Sequence, residues 1–321
     1  MVASEALSPC CLERASRAPS ELFTPDFKAL DLRDRPLLEP WLKGQPQPLA
    51  GYTFAGLFSW TQVFCYEWKK LGSGALLVSC VFEPGQGRAI IQPLGHLTVD
   101  EQRSLVAAAR RLDYPLKIHG VGEPFMAEHP ALVEAFDAYE DRGRFDYIYN
   151  AEDLAFLKGR VYARKRNHIS QAESAHRWTT EPLTAANIDT CRRLAEAARK
   201  DLGDAGNLSF KQENQALSRT LDHALDLGYQ GVVVFADGSP AAFSLFEAQG
   251  PEIAVIHFER AIRAYNGAFQ MVNREAARVL VQQGFKRINR EDDLGLEGLR
   301  KAKESYYPAV LAKSFILRLK R

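Results

Sequence analysis

The chain has 321 residues, a length that corresponds to about two domains of ordinary size. Hydrophobic residues make up 46% of it and charged residues 25%, which is typical of a globular protein with a packed core. The 41 basic and 40 acidic residues leave a formal net charge of +1, so no overall field draws the protein to nucleic acid or to an anionic membrane. Any such binding must come from a local basic patch.

The apolar runs are of strand length, and none approaches the roughly 20 residues that a membrane-spanning helix needs. We therefore expect no transmembrane segment. Residues 1–22 lack the continuous apolar stretch of a secretory signal and are expected to form a disordered tail. The five cysteines form an odd set without C-x-x-C spacing, which argues against a disulfide framework and a zinc site. We therefore expect a cytoplasmic protein without a bound metal.

The first half of the chain begins its regular structure with a hairpin. Two apolar runs, residues 75–82 and 88–93, flank a turn that contains Pro and Gly, and they predict two paired strands. Thr98 lies three residues before Glu101, a capping-box spacing that predicts the start of an amphipathic helix. After this helix the patterns predict a strand at 116–119, a helix at 130–139 and a strand at 145–149.

The second half repeats this order of elements after three helical stretches. The helices are predicted at 151–175, 184–200 and 212–227, and Gly228 is placed to end the last one. Three strands at 231–235, 241–247 and 253–258 are joined by short turns and predict an antiparallel meander. A helix at 269–283, a strand at 286–289, a helix at 296–305 and a strand at 310–319 follow.

The repeated order predicts an α/β fold with mixed sheets, in which two N-acetyltransferase-like domains occupy residues 23–150 and 151–321. A doubly wound dinucleotide-binding sheet is the weaker alternative. It needs a G-x-G-x-x-G turn, and Gly85-Gln-Gly87 and Gly120-Val-Gly122 both lack the third glycine.

The first candidate for chemistry is a basic run at residues 157–169. Its polar members are Lys158, Arg160, Arg164, Lys165, Arg166, Asn167 and His168. Arginine forks and lysine point charges favour phosphate, so this run predicts a binding site for donor phosphates. The alternative is a solvated helix face whose charges pair with Glu152, Asp153 and Glu173.

The second candidate is Glu259, which stands at the end of a predicted core strand. A buried carboxylate is costly unless it is paired or functional, so Glu259 is a candidate general base. The following loop carries Arg263, Asn266 and Gly267, and the amides at the helix start near Gly267 are natural donors to an anionic group. The alternative is a simple salt bridge from Glu259 to Arg260 or Arg263.

The third candidate is the polar segment after the strand at 286–289. Asn289, Arg290, Glu291, Asp292 and Asp293 gather where α/β sheets form ligand crevices. The three acids are consistent with a divalent metal or with capping of the next helix, and capping is the preferred interpretation. Arg300, Lys301 and Lys303 are placed to face the same crevice, and Tyr306 is either a general acid or a packed aromatic residue.

Three stretches carry a resemblance to a known family. They are KGRVYARKRNH from Lys158 to His168, HFER from His257 with YNGAFQ from Tyr265, and NREDDLGLEGLRKAKESYYP from Asn289 to Pro308. In these residues the chain resembles a bacterial family of unknown function that is grouped with the C-terminal domain of phosphatidylglycerol lysyltransferase. The resemblance extends from about Phe23 onward and implies a tandem N-acetyltransferase-like fold.

The resemblance also implies a donor and an acceptor. The lysyltransferase uses aminoacyl-tRNA and a membrane lipid, so a lipid headgroup and a small molecule are the two candidate acceptors here. Acetyltransferases hold acyl-coenzyme A on an R/Q-x-x-G-x-G/A turn, whereas the segment from Arg263 to Gly267 has a different spacing and one glycine. Aminoacyl-tRNA is therefore the preferred donor over acyl-coenzyme A, and no other cofactor is required.

The resulting prediction is an acyl or aminoacyl transferase in which Glu259 deprotonates an amine or hydroxyl acceptor. Amides near Gly267 would polarise the donor carbonyl, and Tyr306 would protonate the leaving group. Donor phosphates are assigned to Arg164, Lys165, Arg166 and Lys301. A non-catalytic RNA- or nucleotide-binding module is the alternative, and the first repeat, which has few polar clusters, is expected to act as a scaffold.

Overall fold

The computed structural model describes residues 22–43, 49–83, 85–202 and 208–320. The expected tail at 1–22 lies almost entirely outside them. The chain divides into two compact units. The first comprises the described residues up to Phe145 together with those from Lys313 onward, and the second comprises Asp146–Ala312. The sequence placed this division at residue 150, one strand later in the chain.

Within the described residues the first unit contains a seven-stranded sheet, whose last strand comes from the end of the chain, and five helices. In chain order these are β1 Lys28–Ala29, α1 Arg35–Lys43, α2 Phe54–Phe64, β2 Glu67–Lys70, β3 Leu76–Cys80, β4 Ala89–Ile91, α3 Val99–Arg110, β5 Lys117–Val121, α4 Glu123–Glu128, α5 Pro130–Val133 and β6 Phe136–Glu140.

The second unit follows, and one further strand completes the chain. The elements are β7 Asp146–Asn150, α6 Ala151–Phe156, α7 Ala163–Ala175, β8 Trp178–Pro182, α8 Ile188–Leu202, α9 Leu208–His223, β9 Gln230–Ala236, β10 Ser239–Ala248, β11 Ile253–Ala261, α10 Ala268–Gln282, β12 Arg287–Asn289, α11 Glu297–Glu304, β13 Val310–Ala312 and β14 Phe315–Leu319.

The two sheets have the same arrangement of strands. The first runs β1-β2-β3-β4-β5-β14-β6 and the second runs β8-β9-β10-β11-β12-β7-β13. In each sheet the fourth and fifth strands are parallel, as shown by β4 with β5 and β11 with β12. The last strand of the chain thus completes the first sheet, and β7, which precedes all other strands of the second unit, completes the second. The predicted duplication of a mixed α/β sheet is confirmed.

Local signals in the sequence account for several of these elements. Thr98 accepts a hydrogen bond from the amide of Glu101 and the Glu101 carboxylate accepts one from the amide of Thr98, so the predicted capping box opens α3. The predicted hairpin forms between β3 and β4, and the predicted meander forms among β9, β10 and β11. The register of β10 with β11 shifts between Leu245 and Phe246, which places a bulge at His257.

Three predicted elements were wrong in extent, and one strand was missed. The helix expected at 130–139 ends at Val133, because the following residues pair as β6 with β14. The helix expected at 151–175 is broken at Leu157, whose φ is 49°. Strand β8 was not predicted. The strand expected at 310–319 is two strands, β13 in the second sheet and β14 in the first, since each finds a different partner.

The core of the second unit packs α6, α7 and α10 against one face of its sheet, around residues such as Tyr147, Tyr149 and Phe246. Of the described cysteines, Cys80 and Cys191 are buried free thiols, whereas Cys65 is disulfide-bonded, so the expected absence of disulfides does not hold there. Among the described residues, no helix combines the length and the apolar character that crossing a bilayer requires.

Candidate functional site

The candidate site lies where β11 and β12 separate in the second sheet. Their parallel pairing covers Ile253–Val255 with Arg287–Asn289, after which β11 continues while the other chain turns away through Glu291, whose φ is 60°. Glu259 and Arg290 lie beyond the paired residues. The Nη2 group of Arg290 donates to Oε2 of Glu259 at 2.5 Å, and the two side chains are only 16% and 14% exposed.

Arg290 is the centre of this cluster. Its guanidinium lies 5.3 Å from the ring centroid of Tyr306 and 5.9 Å from that of Tyr149. With its amide oxygen turned towards the guanidinium, Asn273 of α10 accepts hydrogen bonds from Arg290 at 3.1 Å. Burial opposes the charge on Arg290, but the neighbouring carboxylate of Glu259 raises the pKa of Arg290 above its ordinary value. The guanidinium is therefore a fixed, buried positive charge at the point where β11 and β12 separate.

Glu259 is buried and paired, as the cost of burying a charge demands. Its partner is Arg290 rather than Arg260 or Arg263, the two that the sequence proposed, because Arg260 binds Glu213 and the backbone oxygen of Glu259 instead. The other carboxylate oxygen, Oε1, is buried without a hydrogen-bond partner within the described part of the chain. Oγ of Ser244, which lies directly opposite on β10, is likewise buried without a hydrogen-bond partner among the described residues. Both atoms are therefore buried polar groups without a partner, which costs free energy.

Lys165 points inward from the basic run on α7. Its Nζ donates to Oγ of Ser305 at 2.6 Å and lies 3.9 Å from the ring centroid of Tyr306. Burial, together with the positive charges of Arg290 and Arg164, lowers the pKa of Lys165 to about 8. Two cations, Lys165 and Arg290, therefore meet at one phenol ring.

Tyr306 is 7% exposed and packs in the core, which agrees with the aromatic packing that the sequence offered as one alternative. Burial raises the pKa of Tyr306 to about 12, although Arg290 opposes the shift. Its phenol is therefore protonated at neutral pH. The role of general acid stays a prediction.

The three consecutive acids do not converge on one point. Glu291 binds His257, Asp292 accepts from the amide of Leu294 at 3.2 Å, and Asp293 accepts from Tyr147 and Arg300. The preferred interpretation as caps of α11 is wrong, because the residue at the N-cap is Leu296. Each acid instead fixes part of the loop that carries Arg290.

Only one of the two lysines expected in the crevice faces it. Lys303 is 9% exposed, and its Nζ donates to the backbone oxygen of Arg290. Lys301 is exposed and pairs with Glu297 at 2.6 Å on the surface of α11, so its predicted role as a phosphate ligand is not supported. Arg300 is bound to Asp293 by both Nε and Nη2. Asn289 is buried, and its Nδ2 donates to Asp146 at 2.9 Å.

His257 is a feature of the site that sequence reasoning missed. It lies at the bulge of β11, where Nε2 is 2.9 Å from Glu247 and Nδ1 is 2.7 Å from Glu291. Burial opposes its protonation, but the hydrogen bonds that its two N–H groups donate to the carboxylates of Glu247 and Glu291 raise its pKa to about 10. The imidazolium thus ties β11 to the loop that carries Arg290. A histidine inside an apolar strand was the available signal.

The basic run divides by function along α7. Arg164 and Asn167 are exposed and His168 is half-buried, while Lys165 faces the cluster. Arg166 donates from Nη1 to the backbone oxygens of Leu157 and Gly159 at 2.5 and 2.6 Å, and so stabilises the end of α6 rather than a phosphate.

The expected amide donors near Gly267 are partly occupied. The amide of Ala268 donates to the backbone oxygen of Tyr265 at 3.1 Å. A Cβ on Gly267, whose φ is +86°, would lie 2.7 Å from Cβ of Ala172, so α7 packs directly against this helix start. Arg263 and Asn266 in the preceding loop are exposed. These residues do not join the cluster around Arg290.

One group in the first unit has the composition of a metal site. The potential ligand atoms of His96, Glu128 and His129 lie within 4.8 Å of one another. Both nitrogens of His129 are already engaged, since Nε2 accepts from the amide of Leu97 and Nδ1 contacts the backbone oxygen of Phe125. The geometry is that of a structural histidine.

Comparison with known structures shows the same fold in several proteins. A conserved protein of unknown function from Bacteroides thetaiotaomicron is 30% identical, with a TM-score of 0.83 over 92% of this chain and 99% of that one. L-PGS from Bacillus licheniformis is 14% identical, with a TM-score of 0.64 over 92% and 93%. FemX is 10% identical, with a TM-score of 0.60 over 88% and 95%.

A tandem GNAT protein from the clavulanic acid biosynthesis pathway is 11% identical, with a TM-score of 0.50 over 91% of this chain and 97% of that one, so the fold is of the tandem GNAT type. No curated protein matches the sequence. Residues 46–318 match the family described as phosphatidylglycerol lysyltransferase, C-terminal. The chain therefore belongs to the phosphatidylglycerol lysyltransferase C-terminal family.

Proposed function

We propose that this protein is an aminoacyltransferase, which moves an aminoacyl group from aminoacyl-tRNA to an amine or hydroxyl acceptor. The buried pair of Glu259 and Arg290, set where β11 and β12 separate, is the observation that carries the proposal. Membership of a family named for a lysyltransferase supports aminoacyl transfer as the class of reaction. The acceptor is a small molecule or a lipid headgroup.

The chemistry follows from what each group has available. Oε1 of Glu259 accepts the proton of the acceptor, whose oxygen or nitrogen attacks the ester carbonyl of the donor. Arg290 stabilises the negative charge that develops on the carbonyl oxygen. The ester bond to the donor then breaks, and the leaving hydroxyl oxygen takes a proton from Tyr306, which is protonated at neutral pH because its pKa is raised to about 12.

Aminoacyl-tRNA is favoured over acyl-coenzyme A for two reasons. The start of α10, where an acetyltransferase would hold a pyrophosphate, is packed against Ala172 at Gly267. Arg160 and Arg164, by contrast, are exposed on one side of the basic run and are free to meet the phosphates of an RNA.

The test uses the full chain with aminoacyl-tRNA and glycerol as a hydroxyl acceptor, and measures the release of the aminoacyl group to that acceptor. Because general-base catalysis contributes roughly 10²–10⁴-fold to a rate, Glu259→Gln should lower release by at least about 100-fold. Lys301→Gln on the surface of α11 is the matched control and should retain the activity of the unchanged protein. Full release by Glu259→Gln would refute the role of this carboxylate.

A non-catalytic RNA-binding module is the alternative, and the occupation of one Glu259 oxygen by Arg290 favours it. A gel-shift experiment with tRNA distinguishes the two functions. Arg164→Glu should weaken tRNA binding in either case. Binding by the unchanged protein without any aminoacyl release would support the module and exclude the transferase.

A further inference from the structure

A cleft in the first unit is lined by groups that the transferase proposal does not use. Its volume is about 260 Å³, including the solvent at its mouth, and its walls include Phe82, Tyr114, Lys117 and His119. The cleft lies at the beginning of β4 and β5, whereas the candidate site of the second unit lies beyond the paired residues of the corresponding strands. It is therefore not a second copy of that site.

Two aromatic rings form walls of the cleft, and their neighbours hold both in place. The ring of Phe82 lies 4.7 Å from that of His119, at an interplanar angle of 59°. The phenol oxygen of Tyr114 accepts from the amide of Arg88 at 3.0 Å, and its ring lies so close to Gly87 that a Cβ there would be 2.5 Å away. Pockets for drug-sized ligands measure roughly 300–1,000 Å³, so a smaller cleft suits a single ring with a short substituent.

His119 offers the cleft a hydrogen-bonding group. Within the described part of the chain neither nitrogen of its ring has a hydrogen-bond partner. The residue is only partly buried, and neither nitrogen is among the fully buried side-chain atoms that lack a partner. Burial and the charge of Lys117 lower the pKa of His119 to about 4, so at pH 7 the imidazole is neutral and carries one N–H.

The charges close to His119 are more positive than negative. Lys117 and Arg144 both lower its pKa, whereas Glu83 alone among these neighbours raises it. Nζ of Lys117 donates to Glu83 and Gln86 at 3.0 Å each, which leaves one N–H of the ammonium for a ligand. A positive field beside two N–H donors favours a carboxylate as the polar part of that ligand.

We propose that this cleft of the first unit binds a small aromatic carboxylate, with its ring against Phe82 and Tyr114 and its carboxylate on Lys117 and His119. The first unit thereby has a ligand of its own, while the transfer chemistry stays with the second unit. Binding needs no transfer reaction, so a failure of the proposed transferase function leaves this inference standing.

The experiment is isothermal titration calorimetry of the full chain at pH 7 with three probes. Benzoate carries both the ring and the carboxylate, benzamide keeps the ring without the charge, and acetate keeps the charge without the ring. We expect saturable binding of benzoate that is at least about tenfold tighter than the binding of benzamide or acetate.

Variants locate the binding and separate its parts. Lys117→Met should remove the preference for benzoate over benzamide, because it removes the charge and leaves the rings. His119→Phe keeps a ring without an N–H and should weaken benzoate binding by about threefold to tenfold. Lys313→Met is the matched control, since Lys313 pairs with Glu140 at 2.7 Å in the same unit, as Lys117 pairs with Glu83, and it should bind benzoate as the unchanged protein does.

The three probes on the unchanged protein decide the question even if a variant fails to fold. No saturable binding of benzoate, or equal binding of benzoate with benzamide or acetate, would overturn the proposal. Benzoate binding that is unchanged in both Lys117→Met and His119→Phe would place the ligand on another surface, and would overturn it as well.

Discussion

The two sheets differ at the point where their parallel strands separate. In the first sheet the residue after the paired part of β4 is Gln92, whose Oε1 accepts from the amide of Gly122 directly after β5 at 2.9 Å. In the second sheet the corresponding gap holds the ion pair of Glu259 and Arg290. The first unit thus closes the gap with a neutral side chain bonded to its own backbone, and the second fills it with charge.

The helices that follow differ in the same way. At the start of α3 the capping box of Thr98 and Glu101 accepts hydrogen bonds from backbone amides, and Glu101 also accepts from the amide of Ser73. The start of α10 has Gly267 at the N-cap, which offers no side chain, and α7 packs against it. The comparison supports the interpretation of the first unit as a scaffold, because Gln92, Thr98 and Glu101 at these two positions bind its own backbone.

The largest expected effect comes from breaking the ion pair of the second sheet. Arg290→Met leaves Glu259 buried and uncompensated, so we expect a loss of about 3–5 kcal/mol in the free energy of unfolding, measured by urea denaturation, together with loss of aminoacyl release. The double variant Arg290→Met/Glu259→Met should recover most of the stability and none of the activity.

The matched change in the first sheet is Gln92→Ala. It leaves the amide of Gly122 without its acceptor and should cost about 1–3 kcal/mol, while aminoacyl release continues at the rate of the unchanged protein. Loss of release in this variant at a temperature where the protein is folded would contradict the scaffold interpretation.

Two histidines, one in each unit, should respond to pH in opposite directions. The pKa of His257 is raised to about 10, so its stabilising contribution is complete below pH 6.5 and is lost as pH rises through 10. We expect about 5 kcal/mol of the free energy of unfolding to disappear over this range. In His257→Gln this alkaline dependence should be absent, and its persistence would place the cause elsewhere.

His119 of β5 provides the opposite case. Burial and the charge of Lys117 lower its pKa to about 4, so the unfolded chain binds the proton more readily and the protein loses stability as pH falls from 6.5 towards 4. Urea denaturation across this range should show a smaller acid dependence in His119→Gln. An unchanged acid profile would show that His119 is not shielded from solvent.

The smallest effects concern the two helix starts. Gly267→Ala combines a left-handed backbone with a contact of 2.7 Å to Cβ of Ala172, and should lower the free energy of unfolding by about 2 kcal/mol. Thr98→Ala removes the cap of α3 and should cost about 1 kcal/mol. If the two variants lowered the melting temperature equally, α7 would move away from a side chain at position 267 at little cost.

The elements that were predicted well depend on neighbours in sequence. The capping box at Thr98 joins residues three positions apart, and the hairpin of β3 with β4 and the meander of β9 to β11 are set by turns a few residues long. Residue types at the end of β11 were sufficient to predict that Glu259 needs a partner, because a carboxylate in an apolar strand is costly without one, and the structure pairs it with Arg290.

Only the tertiary structure determined which side chains and which strands pair with one another. Arg290 and Glu259 lie 31 positions apart, Lys165 and Ser305 lie 140 apart, and β14 joins a sheet whose other strands end at Glu140. The helical period does not show which lysine of the basic run faces the interior. Strand propensity does not show that residues 310–319 form two strands in different sheets. The sequence by itself determined the repeated elements and the charges, while packing between distant segments determined which charges meet, since burial energies depend on the neighbours that the fold supplies.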